Sequence, residues 1–165
     1  SETNKSYAEH DGTSLKNIRQ SNTIWLTAEW LHELIAPYIQ GANNSAGWKY
    51  DISAVEDMQL TKYMENGFYS WHVDSLGCHN SIINFPDTAT HGKVRKLSLG
   101  ILLNSDFEGG QFEFFQNLEG NGAPQPKMNR GSVMVFPSWQ SHRVTPVTKG
   151  IRYSLVAWCV GPPFV

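Results

Sequence analysis

The run YSWHVD, Tyr69 to Asp74, sets an imidazole and a carboxylate two positions apart inside an aromatic and β-branched stretch. In a strand, residues i and i+2 share a face, so His72 and Asp74 project together while Trp71 and Val73 project the other way. One imidazole nitrogen and one carboxylate oxygen then form two legs of a metal clamp. A hydrogen-bonded His–Asp pair in a loop mouth is the other reading of the same residues. FPSWQSHRV offers a third leg, with His142 opening another expected strand 70 positions after His72. Two His and one carboxylate occupy one face of an octahedron and leave its other positions open, a donor set that suits non-haem iron(II) and oxygen chemistry. A closed zinc site would want a fourth protein ligand, preferably Cys, and neither Cys78 nor Cys159 has that spacing.

Arg152, in GIRYSLVAW, follows His142 by ten positions, and Ser154 shares its face of an expected strand. A guanidinium beside a hydroxyl suits a carboxylate held in bidentate fashion. A buried Arg needs a counter-charge, supplied either by a distant Glu or Asp or by a bound cosubstrate.

These side chains need a scaffold. WKYDIS, MQLTKYM, YSWHVD, KLSLGILLN, QFEFF, SVMVF and RYSLVAW read as short strands, with turn signals such as ENG, SDFEGG and NRG between them. Strands without intervening helices imply an antiparallel sandwich or roll. Ahead of them a helix is expected, capped by Thr27, with Leu31, Leu34 and Ile35 on one face. Pro37 is expected to kink or shorten it, and Gln40 to Gly47 reads as a loop. The first twenty residues read as a loosely packed lead-in to a single domain over residues 1–165.

Bulk composition narrows the classes. Hydrophobic residues make up 40% and charged ones 17%, which fits a folded soluble chain. A net charge of −2 provides no basic track for nucleic acid. No apolar run is long enough for a bilayer, and the polar start SETNKSYAEHDGTS does not resemble a secretory leader, so a cytoplasmic location is expected. The two cysteines read as buried or semi-buried thiols in a reducing compartment.

Taken together, YMENGFYSWHVD, RKLSLGILLN, FEGGQFEF, FPSWQSHRVTPV and GIRYSLVAW resemble the Fe(II)- and 2-oxoglutarate-dependent dioxygenases, most closely their prolyl 4-hydroxylase branch, from Gln59 to Pro162. The resemblance implies a mainly β fold, the double-stranded β-helix or jelly roll, on which the helix read from the residues forms a small N-terminal helical layer. It implies that His72, Asp74 and His142 hold iron and that Arg152, helped by Ser154, binds the distal carboxylate of 2-oxoglutarate. Tyr63, Trp158 and Phe112 match positions around the cosubstrate, and Tyr69 and Arg95 match positions that handle a target peptide. Trp139, beside a metal ligand, is a further candidate for substrate contact, as is Trp71; core packing is the alternative for both. O2 would be the oxidant, ascorbate the supporting reductant, and a proline-containing peptide or protein the substrate.

Two departures from the branch stand out. Leu102 replaces a tyrosine that assists the carboxylate grip, which shifts weight to Ser154, and Val160 replaces a peptide-contacting His. Of the other histidines, His32 is expected on a solvated helix face, His10 has no assigned role, and His79 and His91 flank a loop that could reach substrate. The competing functions are hydroxylation of a free amino acid or another small molecule, and a jelly-roll module that binds metal without catalysis. Arg152 with Ser154 discriminates, because a binding module has no use for a carboxylate grip.

Overall fold

The computed structural model describes residues 17–78, 81–115 and 127–164. In chain order the elements are β1 (Arg19–Gln20), β2 (Asn22–Leu26), α1 (Glu29–Ser45), β3 (Ala54–Val55), β4 (Met58–Tyr63), β5 (Phe68–His72), β6 (Val94–Leu102), β7 (Phe107–Gly109), β8 (Phe112–Phe114), β9 (Val133–Pro137), β10 (His142–Val144), β11 (Val147–Gly150) and β12 (Arg152–Gly161).

The strands form two main sheets. The larger runs β2-β4-β12-β6-β9, with β3 added beside β12; the smaller runs β1-β5-β10-β8; β7 and β11 make a separate ribbon. Every pairing is antiparallel. This is the jelly roll expected from the sequence.

Alternation along the larger sheet sorts its two faces. Met58, Leu97, Leu99, Leu155, Ala157 and Cys159 pack against Leu31, Ile35 and Ile39 of α1, giving the helical layer and the main core. Each fully buried Leu or Ile there is worth about 1.5–3 kcal/mol. The intervening residues, Gln59, Thr61 and Tyr63 on β4 and Arg152, Ser154, Val156 and Trp158 on β12, line a cleft instead. One sheet therefore carries the core on one side and polar chemistry on the other.

The sequence-based elements need five corrections. Ala28, not Thr27, occupies the helix N-cap, and the Thr27 hydroxyl donates to Asp57. Leu34 is exposed, and the buried stripe is Leu31, Ile35 and Ile39. Pro37 does not end α1, which continues through much of the expected loop to Ser45. The carbonyl that loses its partner belongs to Glu33 on the exposed side, where water can satisfy it, while Ile35 and Ile39 anchor both sides of the proline. WKYDIS forms no strand: Asn43 holds both backbone groups of Tyr50, and Trp48 stacks on that ring. Within the expected lead-in, Arg19 and Gln20 form a strand on β5.

Two smaller corrections concern reactive groups. Cys78 is exposed, whereas Cys159 is buried, and both are free thiols. His32 is half-buried with an unpartnered Nε2 rather than solvated. No helix among the described residues is long and apolar enough to cross a membrane.

Candidate metal centre and its cleft

β5 ends at His72 and β10 begins at His142, and the two residues are direct antiparallel partners. Asp74 lies just beyond β5, so pleat alternation alone does not aim it. Its backbone N–H donates to the Ser138 carbonyl (2.8 Å), and the Ser98 hydroxyl donates to its Oδ2 (2.6 Å). Ser98 also meets the Ser138 hydroxyl at 3.0 Å, so β6 and the end of β9 together fix the carboxylate.

Ligand-capable atoms of His72, Asp74 and His142 all lie within 4.8 Å of one another. Each Nε2 is 3.6 Å from an Asp74 oxygen, beyond a real hydrogen bond, which removes the simple His–Asp pair. Each Nδ1 lies 2.8 Å from a backbone carbonyl, Ser70 for His72 and Gln140 for His142. A carbonyl only accepts, so Nδ1 carries the proton and both Nε2 lone pairs face Asp74. Two lone pairs and a carboxylate converging with no proton between them make a donor set suited to a cation. Burial above all pushes His72 down to about 4, which keeps its imidazole neutral and ready to ligate.

Aromatic packing restricts both rings. Tyr69 stacks on His72 at 3.5 Å with 13° between planes, while Phe112 and Phe136 hold His142 at 5.3 and 4.8 Å. The cleft beside them, about 560 Å³ including its mouth, is also lined by Tyr63, Arg152, Ser154 and Trp158.

Arg152 is only 3% exposed, and its Nη1 donates to the Ser154 hydroxyl at 3.0 Å. The Tyr63 ring sits 5.5 Å from the guanidinium. Among the described residues no carboxylate pairs with it, and its Nε has no partner. Burial lowers its pKa, the direction expected of a cation without an acid. Trp158 Nε1 is a second buried donor without a partner. Unmet donors on the wall of a cleft fit an acceptor-rich, anionic ligand.

The sequence profile of the 2OG-Fe(II) oxygenase superfamily matches residues 58–160. The chain belongs to this superfamily. Its cofactors, Fe(II), 2-oxoglutarate and O2, suit the donor set and the unpaired arginine just described. A PKHD-type hydroxylase of Idiomarina loihiensis is 29% identical over 63% of this chain and 42% of its own length. A putative prolyl 4-hydroxylase of Acanthamoeba polyphaga mimivirus is 28% identical over 87% of this chain and 59% of its own. The chain thus spans about half the length of the curated relatives it matches. Among solved structures, a Pseudomonas putida prolyl-4-hydroxylase superposes with TM-score 0.61 at 23% identity, covering 87% of this oxygenase chain and 73% of that one. The viral collagen prolyl hydroxylase of Paramecium Bursaria Chlorella virus-1, in its 2OG complex, gives 0.64 at 20%, covering 87% and 80%. At such identities the two structures share the fold.

Not every expected residue of the oxygenase reaches the cleft. His72, Asp74, His142, Arg152, Ser154, Tyr63, Trp158, Phe112 and Tyr69 line it, whereas Arg95 and Trp139 do not. Arg95 donates from Nε and Nη2 to the two carboxylate oxygens of Glu56, at 2.6 and 2.7 Å, and its guanidinium lies 4.0 Å from the Trp158 ring centre. Trp139 packs edge-on against Tyr50 and Phe164. Trp71 is exposed, with Arg143 over its ring. Leu102 and Val160 are buried and absent from the lining. His91 is exposed, and His10, His79 and most of the loop before Lys127 lie outside the described residues. Sequence reasoning missed Arg19, Gln59, Thr61 and the Asp74-bound Ser98.

Proposed function

We propose that this chain is the oxygenase unit of a hydroxylase that couples oxidative decarboxylation of 2-oxoglutarate to hydroxylation of a substrate C–H bond. A peptidyl proline is the proposed substrate, in the manner of prolyl 4-hydroxylases. One observation carries the reading: a buried guanidinium with no acid of its own lines the same cleft as two imidazole lone pairs and a carboxylate.

In this reading His72, Asp74 and His142 hold Fe(II), while Arg152 and Ser154 take the distal carboxylate of 2-oxoglutarate. When bound, iron, the diacid and O2 supply the oxidising power, yielding succinate, CO2 and one oxygen atom for the substrate. The chain's own work is positioning. Carbonyl-held Nδ1–H groups fix the two imidazoles, and Ser98 holds Asp74 by donating one hydrogen bond. Arg152 anchors one end of the diacid, and Tyr63, Phe112 and Trp158 form a wall that keeps water out. Tyr69, lying flat on His72 in the cleft lining, is the proposed contact for the substrate. The prolyl substrate draws its support from the relatives' names.

The test is succinate release from 2-oxoglutarate with Fe(II) and ascorbate, run beside a proline-rich peptide panel scored for a gain of about 16 Da. His142→Ala should lower turnover more than about 100-fold, since it removes a ligand rather than a ligand's support. Arg152→Gln should raise the KM for 2-oxoglutarate at least about tenfold. Wild-type kinetics in both variants would refute the assignment.

A further inference from the structure

Among the described residues, four of the five arginines divide into two kinds; the fifth, Arg130, is exposed and outside the cleft lining. Arg95 and Arg143, neither of which lines the cleft, each hold an acid of their own, Glu56 and Glu113. Arg152 and Arg19 both line the cleft, and among the described residues neither pairs with a carboxylate. Arg152 is accounted for by the diacid. Arg19 is not.

Arg19 stands on β1, opposite Tyr69 of β5. Its Nε donates to the Ser21 hydroxyl and its Nη2 to the Gln59 side-chain oxygen, both at 2.7 Å, and its guanidinium lies 4.6 Å from the Tyr69 ring centre. All three partners are neutral. They orient the fork over the ring that covers His72, but they leave its charge uncompensated.

The charge balance of the loaded cleft isolates the same residue. A divalent ion, the Asp74 carboxylate, a doubly charged diacid and Arg152 cancel formally, so Arg19 remains as the net charge among the lining residues. Its station also differs from that of Arg152. Arg152 is in register with Tyr63, whereas Arg19 grips Gln59, four residues back along β4. That separation is about 13 Å along the strand.

We propose that Arg19 binds a carboxylate of the substrate, so that this enzyme selects molecules carrying a carboxylate close to the carbon it hydroxylates. The proposal rests on the hydroxylase reading above. The carboxylate could be the terminal group of an amino acid or peptide, or an acidic side chain beside the target residue.

The experiment avoids turnover by loading the protein with Zn(II) and 2-oxoglutarate and measuring affinities by calorimetry. N-acetylproline is compared with N-acetylprolinamide for a terminal carboxylate, and a Pro-Asp peptide with its Pro-Asn counterpart for a side-chain one. Wild type should favour the acid in one pair by at least about tenfold. Arg19→Gln should bring that ratio near one, and Arg19→Lys should retain part of it, with melting temperatures confirming folded protein. Absence of acid preference in both pairs, its survival in Arg19→Gln, or weakened 2-oxoglutarate binding in that variant would each overturn the proposal. Failure of wild type to bind 2-oxoglutarate at all would overturn the parent reading instead, and this inference with it.

Discussion

The two sheets of the roll do different work. In the larger sheet β12 and β6 are buried almost throughout, one face locked against α1. In the smaller sheet β5 and β8 contain no fully buried residue, yet β5 and β10 supply both histidines. Packing that stabilises the molecule is thus concentrated where the proposed metal ligands are not. The cleft between the sheets borrows rigidity from one and ligand atoms from the other.

Substitution in the core should break this division most severely. Leu97→Ala, at a position with no exposure and outside the cleft lining, should cost about 2–5 kcal/mol in denaturant unfolding while the remaining folded molecules keep their affinity for 2-oxoglutarate. A loss of affinity in the folded fraction would mean that core and cleft are not separable. His142→Gln, which keeps most of the side-chain volume between Phe112 and Phe136, is the mirror case: metal binding should fall steeply with a smaller change in unfolding than the core variant shows.

Acid sharpens the comparison from the other side. The folded protein holds His72 at about 4, below the 6.5 of an unfolded chain, so unfolding takes up protons between those values. The stability from this group is therefore complete above about pH 6.5 and is lost as pH falls towards 4, by about 3 kcal/mol at most. Melting of the metal-free protein across that range measures it, and His72→Gln should flatten the profile. A smaller effect tests the join between the sheets. Ser98→Ala removes the bond to Asp74 and should weaken Zn(II) affinity about 10–100-fold, with the 2-oxoglutarate-side residues untouched.

The legibility of the sequence follows the same line. His72, His142 and the Arg152–Ser154 pair could be placed because alternation in a strand is local, and β5, β10 and β12 obey it. Asp74 was placed by carrying the same alternation past His72, but β5 ends there, and Ser98 and Ser138, 24 and 64 positions away, are what hold it. Arg19 was hidden because β1 has two residues and no pattern of its own; only its pairing to β5 brings it to the cleft. Arg95 was misjudged for the converse reason. Its partner Glu56 lies 39 positions away, and nothing near Arg95 in the chain announces it. Pro37 misled because the anchoring that carries α1 past it comes from a sheet formed later in the chain.

The contrast between the two thiols has a practical consequence. Burial, followed by the nearby Glu56 charge, pushes Cys159 up to about 12, whereas Cys78 stands exposed. An alkylating dye at neutral pH should therefore label a single position, giving a spectroscopic reporter without any need to engineer one.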